Sequence, residues 1–252
     1  MSFKNISLST LLFSGLLAIA NPANATIVLF ETSQGDFEVN LLDNHTPATV
    51  ANFLAYVEAE SYSNSVIHRS MSNFIVQGGG FTYDREAEQI SEITSLATVI
   101  NEPLFSNVRG TIAMAKKGDD ENSATNQWFF SVANNAGNLD NQNGGFTVFG
   151  VITTAEGMKI VDAINALTTY NLGGAFTDTP LQTEPTEDSP ITDEHLVIIE
   201  AVTIIDANKD TQPNLPPVTS AENKDSDSSG GSNSLLFILM LLTINFLRRV
   251  AK

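Results

Sequence analysis

Ile67-His68-Arg69-Ser70-Met71-Ser72-Asn73-Phe74-Ile75-Val76-Gln77-Gly78-Gly79-Gly80-Phe81-Thr82 is the stretch on which the reading of this chain turns. Arg69 and Gln77 are polar donors set among Ile67, Phe74, Ile75 and Val76, side chains that favour burial. A guanidinium beside apolar surface costs desolvation unless it has a partner, so such a placement is usually paired or functional. An edge strand with an exposed arginine, followed by a glycine turn, fits the same residues. The stretch by itself does not separate the two.

The whole chain narrows the choice. Its 252 residues allow one good-sized domain or two small ones, and 42% hydrophobic content is ample for a packed core. Cysteine is absent, which removes disulfides, thiolate metal sites and a cysteine nucleophile. The formal net charge is −17, and residues 26–206 hold 25 acidic against 6 basic side chains. Such a surface repels phosphate backbones and anionic lipid, so nucleic acid is not an expected partner. No Gly-x-Ser-x-Gly or His-Glu-x-x-His surrounds His68 or His195, and no Lys-Ser/Thr follows the glycines at 78–80. Hydrolase and phosphate-loop chemistry are disfavoured.

The ends have the pattern of address labels. Lys4, an apolar run from Leu11 to Ala20, Pro22 and Ala23-Asn24-Ala25 follow the order of a secretory signal peptide, expected over residues 1–25 with Thr26 as the mature start. Residues 207–234 are rich in Asp, Asn, Ser, Pro and Thr, the composition of a disordered linker. Residues 235–252 close the chain with a thirteen-residue apolar run, Leu235 to Leu247, and Arg248-Arg249-Val250-Ala251-Lys252. That run is short for a relaxed membrane span of about 20 residues. With Gly230-Gly231 before it, the tail resembles the GlyGly-type C-terminal sorting signals of Gram-negative bacteria, which a rhomboid-like protease removes. A tilted, uncleaved anchor fits the same residues. The expectation is an exported protein, periplasmic and tethered to the inner membrane, or processed to the cell surface or medium.

Between the ends, 26–206 reads as one domain. Thr26–Thr32 and Asp36–Leu42 alternate around Ser33-Gln34-Gly35, a hairpin. Thr46-Pro47 opens a helix whose apolar stripe is Val50, Phe53, Leu54 and Val57, with His45 before it in a solvated loop. Asp84 to Glu92 is polar and reads as loop. Val108 to Ala115 reads as turn into strand, and further strands are expected at 127–132, with both faces buried, and at 146–152. Thr153 with Glu156 suggests a capping box before a second helix, Met158 to Leu167. A long acidic loop, Gly173 to Glu194, leads to a last strand, His195 to Asp206. Many short strands with two helices suggest a closed antiparallel barrel with helices over its ends.

His-Arg followed by Phe-x-x-Gln-Gly-Gly-Gly-Phe-Thr resembles the signature of the bacterial cyclophilin-type peptidyl-prolyl cis-trans isomerases. The likeness extends over 26–206 and implies a mainly β fold, a closed eight-stranded antiparallel barrel capped by two α-helices. It implies catalytic roles for Arg69 and Gln77. It also implies a peptide groove of His68, Phe74, Ile75, Ala115, Lys116, Gln127, Phe129, Leu139 and Phe146. Plain core packing fits Phe129 and Leu139 as well. The reaction needs no metal or cofactor, and the expected partner is a proline-containing polypeptide met by a monomer. The chain departs from the pattern at Ser72-Asn73, where the family has Pro-Gly, and at Lys116, Trp128, Asn138 and Phe146. Asn138 stands where many members have the tryptophan that cyclosporin-type ligands use. A proline-peptide-binding chaperone, or a surface scaffold with weak isomerase activity, is the alternative reading.

Overall fold

The computed structural model describes residues 26–186, 190–207 and 215–218. The expected signal peptide and the apolar tail lie outside the described residues, as does most of the linker. In chain order the elements are β1 (Thr26–Thr32), β2 (Phe37–Leu41), α1 (Pro47–Glu58), β3 (Ser65–Val66), β4 (Arg69–Met71), β5 (Ile75–Gly78), β6 (Phe81–Asp84) and β7 (Gln89–Glu92). They continue with β8 (Thr111–Met114), β9 (Trp128–Ser131), α2 (Ala136–Leu139), β10 (Val148–Ile152), α3 (Ala155–Ala166), β11 (Thr169–Tyr170), β12 (Thr179–Pro180) and β13 (Ile198–Ala207).

Eleven of the strands form one antiparallel sheet in the order β4-β5-β9-β8-β10-β2-β1-β13-β3-β6-β7, and β11 pairs with β12 alone. This corrects the expected count of eight strands and the expected hydrogen-bonded closure. The extra strands come from two interruptions. Ile67-His68 divides β3 from β4, and Gly79-Gly80 divides β5 from β6. Each pair would otherwise be one strand, so β4 and β5 at one end of the order are joined through the chain to β3 and β6 near the other. The sheet turns back on itself by connectivity, with no ladder across the gap among the described residues.

The first hairpin is as expected, Val28 opposite Val39 and Phe30 opposite Phe37. Inward alternation puts Val28, Phe30, Phe37, Val39 and Leu41 into the main core. There Trp128, Phe130, Phe53, Tyr56 and Tyr62 meet them, with Trp128 edge-on to Phe30 at 5.3 Å. The two long helices lie near their expected places, and a single-turn helix, α2, adds a third. The polar stretch expected as loop is instead the hairpin β6–β7, whose outer strand is mostly exposed. The helix α3 is capped by Thr154, whose Oγ1 accepts from Gly157 N at 3.0 Å, one residue later than the capping box predicted. His45 is only half exposed, its ring 5.3 Å from Phe105.

Candidate active site

Antiparallel register lines up one row of side chains across four strands. Arg69 on β4 is opposite Gln77 on β5, Gln77 opposite Phe129 on β9, and Phe129 opposite Ala113 on β8. Directly paired residues share a face, so these project from the same side of the sheet. Met71 and Ile75, two residues along, lie on that side too. The alternate residues Val76, Phe130, Ile112, Met114 and Trp128 point the other way into the main core. The candidate site therefore stands on the outer face of a sheet whose inner face is locked by aromatic packing.

Arg69 keeps 16% of its side chain exposed. One terminal nitrogen lies 3.5 Å from Gln77 Oε1 and the other 3.0 Å from Met71 Sδ. Its Nε is 3.7 Å from Asp178 Oδ2. Burial pulls the guanidinium's pKa down, and the Asp178 charge opposes this. Arginine stays protonated through any such shift, so the group remains an obligate donor. Gln77, only 2% exposed, donates from Nε2 to Gln127 Oε1 at 2.9 Å. Gln127 is thus the base of a short chain of hydrogen bonds ending at Arg69.

The glycines follow from this geometry. A Cβ on Gly78 would come within 2.7 Å of Trp128, and one on Gly79 within 2.6 Å of both Trp128 Nε1 and the Asn126 carbonyl. The Trp128 indole is accommodated by bare backbone.

Beside the row is a second apolar cluster that includes Ile75, Ala115, Phe129, Leu139 and Phe146, with Met71 and Phe74 packed half-buried against it. Phe74 is the one expected slot residue with substantial exposure. Ile75, Phe129, Leu139 and Phe146 are each no more than 4% exposed and form its floor. The turn before Phe74 holds despite Ser72-Asn73, because Asn73 takes φ 54° and Phe74 N donates to Met71 O at 3.0 Å. Asparagine tolerates this left-handed backbone better than most residues.

Two expected groove residues sit deeper than predicted. His68 is 2% exposed, its ring 5.1 Å from Phe81 and 6.0 Å from Phe176. Burial lowers its pKa to about 4. Lys116 is 5% exposed and donates from Nζ to the Asn143 and Gly145 carbonyls, both at 2.6 Å. The ammonium also lies 4.9 Å from the centre of the Phe146 ring. Burial lowers its pKa to about 8, against the pull of Glu121 and Asp120. The lysine staples the loop that carries Phe146. Ala115 lines the same region and donates its N–H to the Gln127 carbonyl at 2.9 Å.

The sequence reading missed Asp178, Asn165 and Asn107. Asn165, at the end of α3, donates to Ser70 Oγ and Met71 O and accepts from Asn73 N, fastening the turn below Phe74. Asn107 receives no substrate role but holds Asp140 Oδ1 and the Phe146 carbonyl. None lies in a motif, and each acts across 30 or more positions of sequence, so no local signal marks them.

A family model described as cyclophilin type peptidyl-prolyl cis-trans isomerase/CLD matches residues 27–195. The peptidyl-prolyl cis-trans isomerase of Acinetobacter baylyi is 35% identical over 166 residues, covering 65% of this chain and 84% of its own length. Peptidyl-prolyl cis-trans isomerase B of Escherichia coli is 34% identical over 182 residues, covering 71% of this chain and 99% of its own. A crystal structure of a Cryptosporidium parvum cyclophilin type isomerase matches with a TM-score of 0.50 at 20% identity, over 73% of this chain and 99% of that one. At that identity the structure speaks for the fold alone. The chain belongs to the cyclophilin family. Within that family its enzyme class is peptidyl-prolyl cis-trans isomerase.

Proposed function

We propose that this isomerase twists X-Pro bonds by donating a hydrogen bond from Arg69 to the prolyl nitrogen. Rotation about the amide faces a barrier of about 18–20 kcal/mol because conjugation is lost. Once conjugation breaks, the nitrogen recovers its lone pair and becomes an acceptor. A donor that meets it only in that state lowers the barrier without tightening the planar ground state. The observation that carries this reading is the placement of Arg69: a partly exposed cation, held by Gln77, at the edge of an apolar floor with half-buried Phe74 beside it. Phe74 and that floor would seat the proline ring. The groove at Ala115, Lys116 and Gln127 would hold the flanking chain.

Arg69→Ala is expected to lower kcat/KM for a proline peptide by on the order of 10²–10³, the size of losing one preorganised donor. The thermal midpoint should hardly move. A folded variant with full activity would refute the role of Arg69. The segments at 1–25 and 230–252 support clients among exported proteins and a processed C-terminus. Intact-mass measurement of protein from the cell envelope tests that, and a chain still beginning at Met1 or ending at Lys252 would contradict it.

A further inference from the structure

Residues 215–218 fall within the stretch read as linker, yet they lie against the domain. Ser106 N donates to Pro216 O at 2.9 Å, and Val218 N donates to Leu104 O at 3.0 Å. Ser106 Oγ adds a bond to Pro217 O at 3.2 Å, and Phe105 and Pro217 pair as an antiparallel bridge. Leu215 packs half-buried against the second apolar cluster, as Phe105 does. From these contacts we infer that Leu104–Ser106 is a strand-addition site for an extended proline-bearing segment, and that its occupant is this chain's own Leu215-Pro216-Pro217-Val218.

The chemistry of the segment fits the site. Proline lacks an N–H, so Pro216 and Pro217 offer only carbonyls, and the edge uses both. The next residue able to donate, Val218, does so. Two prolines also hold the segment extended before it docks, which reduces the entropy lost on ordering. Backbone pairing supplies affinity, and one apolar side chain in a neighbouring hollow supplies register, the general pattern of strand addition. Here the side chain is Leu215.

The docked strand bears on the slot through one residue. Asn107 follows Ser106 and is fully buried. Its backbone N–H and side-chain Nδ2 both donate to Asp140 Oδ1, at 2.8 and 3.0 Å, while Nδ2 also reaches the Phe146 carbonyl at 3.1 Å. Its own carbonyl accepts from Asn135 N at 2.9 Å, at the start of the turn bearing Leu139. Fixing 104–106 therefore steadies the segment that holds two members of the proline slot, Leu139 and Phe146. The docking itself does not depend on the assignment of those residues to a slot.

Hydrogen exchange on the full chain tests the inference. In the wild type the Ser106 and Val218 amides should be protected together. In Leu215→Asp both should exchange at least tenfold faster, while the Phe129 and Phe130 amides keep their wild-type rates. A synthetic peptide spanning residues 211–220 should then bind the variant and not the wild type. Unprotected Ser106 and Val218 amides in the wild type, or rates unchanged in the variant, would overturn the assignment. So would peptide binding to both proteins equally, which would mean the edge is open to outside partners. None of these readouts depends on isomerase activity, so failure here is distinct from failure of the Arg69 reading.

Discussion

Gly79 and Gly80 adjoin in sequence, but an added methyl would meet different things at each. Gly79 has φ +75°, a conformation that L side chains rarely adopt, and its missing Cβ would lie 2.6 Å from the Asn126 carbonyl. Backbone cannot step aside. Gly80 carries no such torsion, and its Cβ would meet Gln127 Nε2 at 2.8 Å and Cδ at 2.9 Å, the far end of a flexible side chain. Gly79→Ala should therefore cost stability, by about 1–3 kcal/mol for strained backbone, read as a lowered thermal midpoint. Gly80→Ala should leave that midpoint nearly in place and displace Gln127 from Gln77. Losing one link of the chain that ends at Arg69 is worth about 0.5–1.5 kcal/mol, or roughly a 2–10-fold drop in kcat/KM. Equal activity in Gly80→Ala and wild type would show that the Gln127–Gln77 bond does not position Arg69. This contrast is invisible in the string Gly78-Gly79-Gly80, where the three look alike. Arg69, Gln77 and Phe74 sit together in one signature and so are read together from the sequence, whereas Asp178 reaches Arg69 from 109 positions away and carries no local signal.

Helix α1 shows how an element's boundary was legible while its chemistry was not. Proline at the first turn marked the start correctly, since its fixed φ suits that position and its missing N–H is no loss. Thr46 occupies the capping position, yet it makes no side-chain cap bond. The free N–H groups are met from elsewhere: Glu102 accepts from Ala48 N at 3.3 Å, from Thr49 N at 2.9 Å and from Thr49 Oγ1 at 2.7 Å. A carboxylate at a helix N-terminus also complements the helix dipole. Glu102→Ala should destabilise by about 1–2 kcal/mol, the usual loss of a cap, lowering the thermal midpoint by roughly 2–8 °C for a domain of this size. Glu102→Gln, which keeps one acceptor oxygen, should recover part of the loss. An unchanged midpoint in Glu102→Ala would mean water caps the helix equally well. The same blindness explains the β6–β7 hairpin. Its outer strand is mostly exposed and polar, so it lacks the apolar alternation by which a strand is read, and only its partner strand defines it. Where burial imposed a pattern, as in the hairpin β1–β2 or in Trp128–Ser131 buried on both faces, sequence and structure agree.

At the scale of the whole molecule, the pH dependence of stability turns on His68. It is buried and neutral, packed against Phe81 and Phe176, and beside Arg69 it has a cation that further disfavours its protonation. Its folded pKa of about 4 lies below the 6.5 of the unfolded chain. The unfolded state therefore binds the extra proton first as pH falls, so stability present above pH 6.5 is lost progressively between 6.5 and 4. At pH 4.5 the loss amounts to roughly 2–3 kcal/mol, from about 1.4 kcal/mol per unit of separation. Lys116 acts in a different window with the same sign. Its folded pKa of about 8 is below 10.5, so stability rises with pH between those values as the buried ammonium loses its charge. The interval from pH 6.5 to 5 lies wholly inside the His68 window, above its folded pKa of about 4. Thermal midpoints measured in steps from pH 7.5 to 4.5 should fall across that interval in the wild type. In His68→Leu, which fills the aromatic surroundings without a titrating ring, the curve should be flat down to pH 5, whatever its absolute height. A parallel fall in both proteins would assign the acid sensitivity to another group and remove His68 from the account.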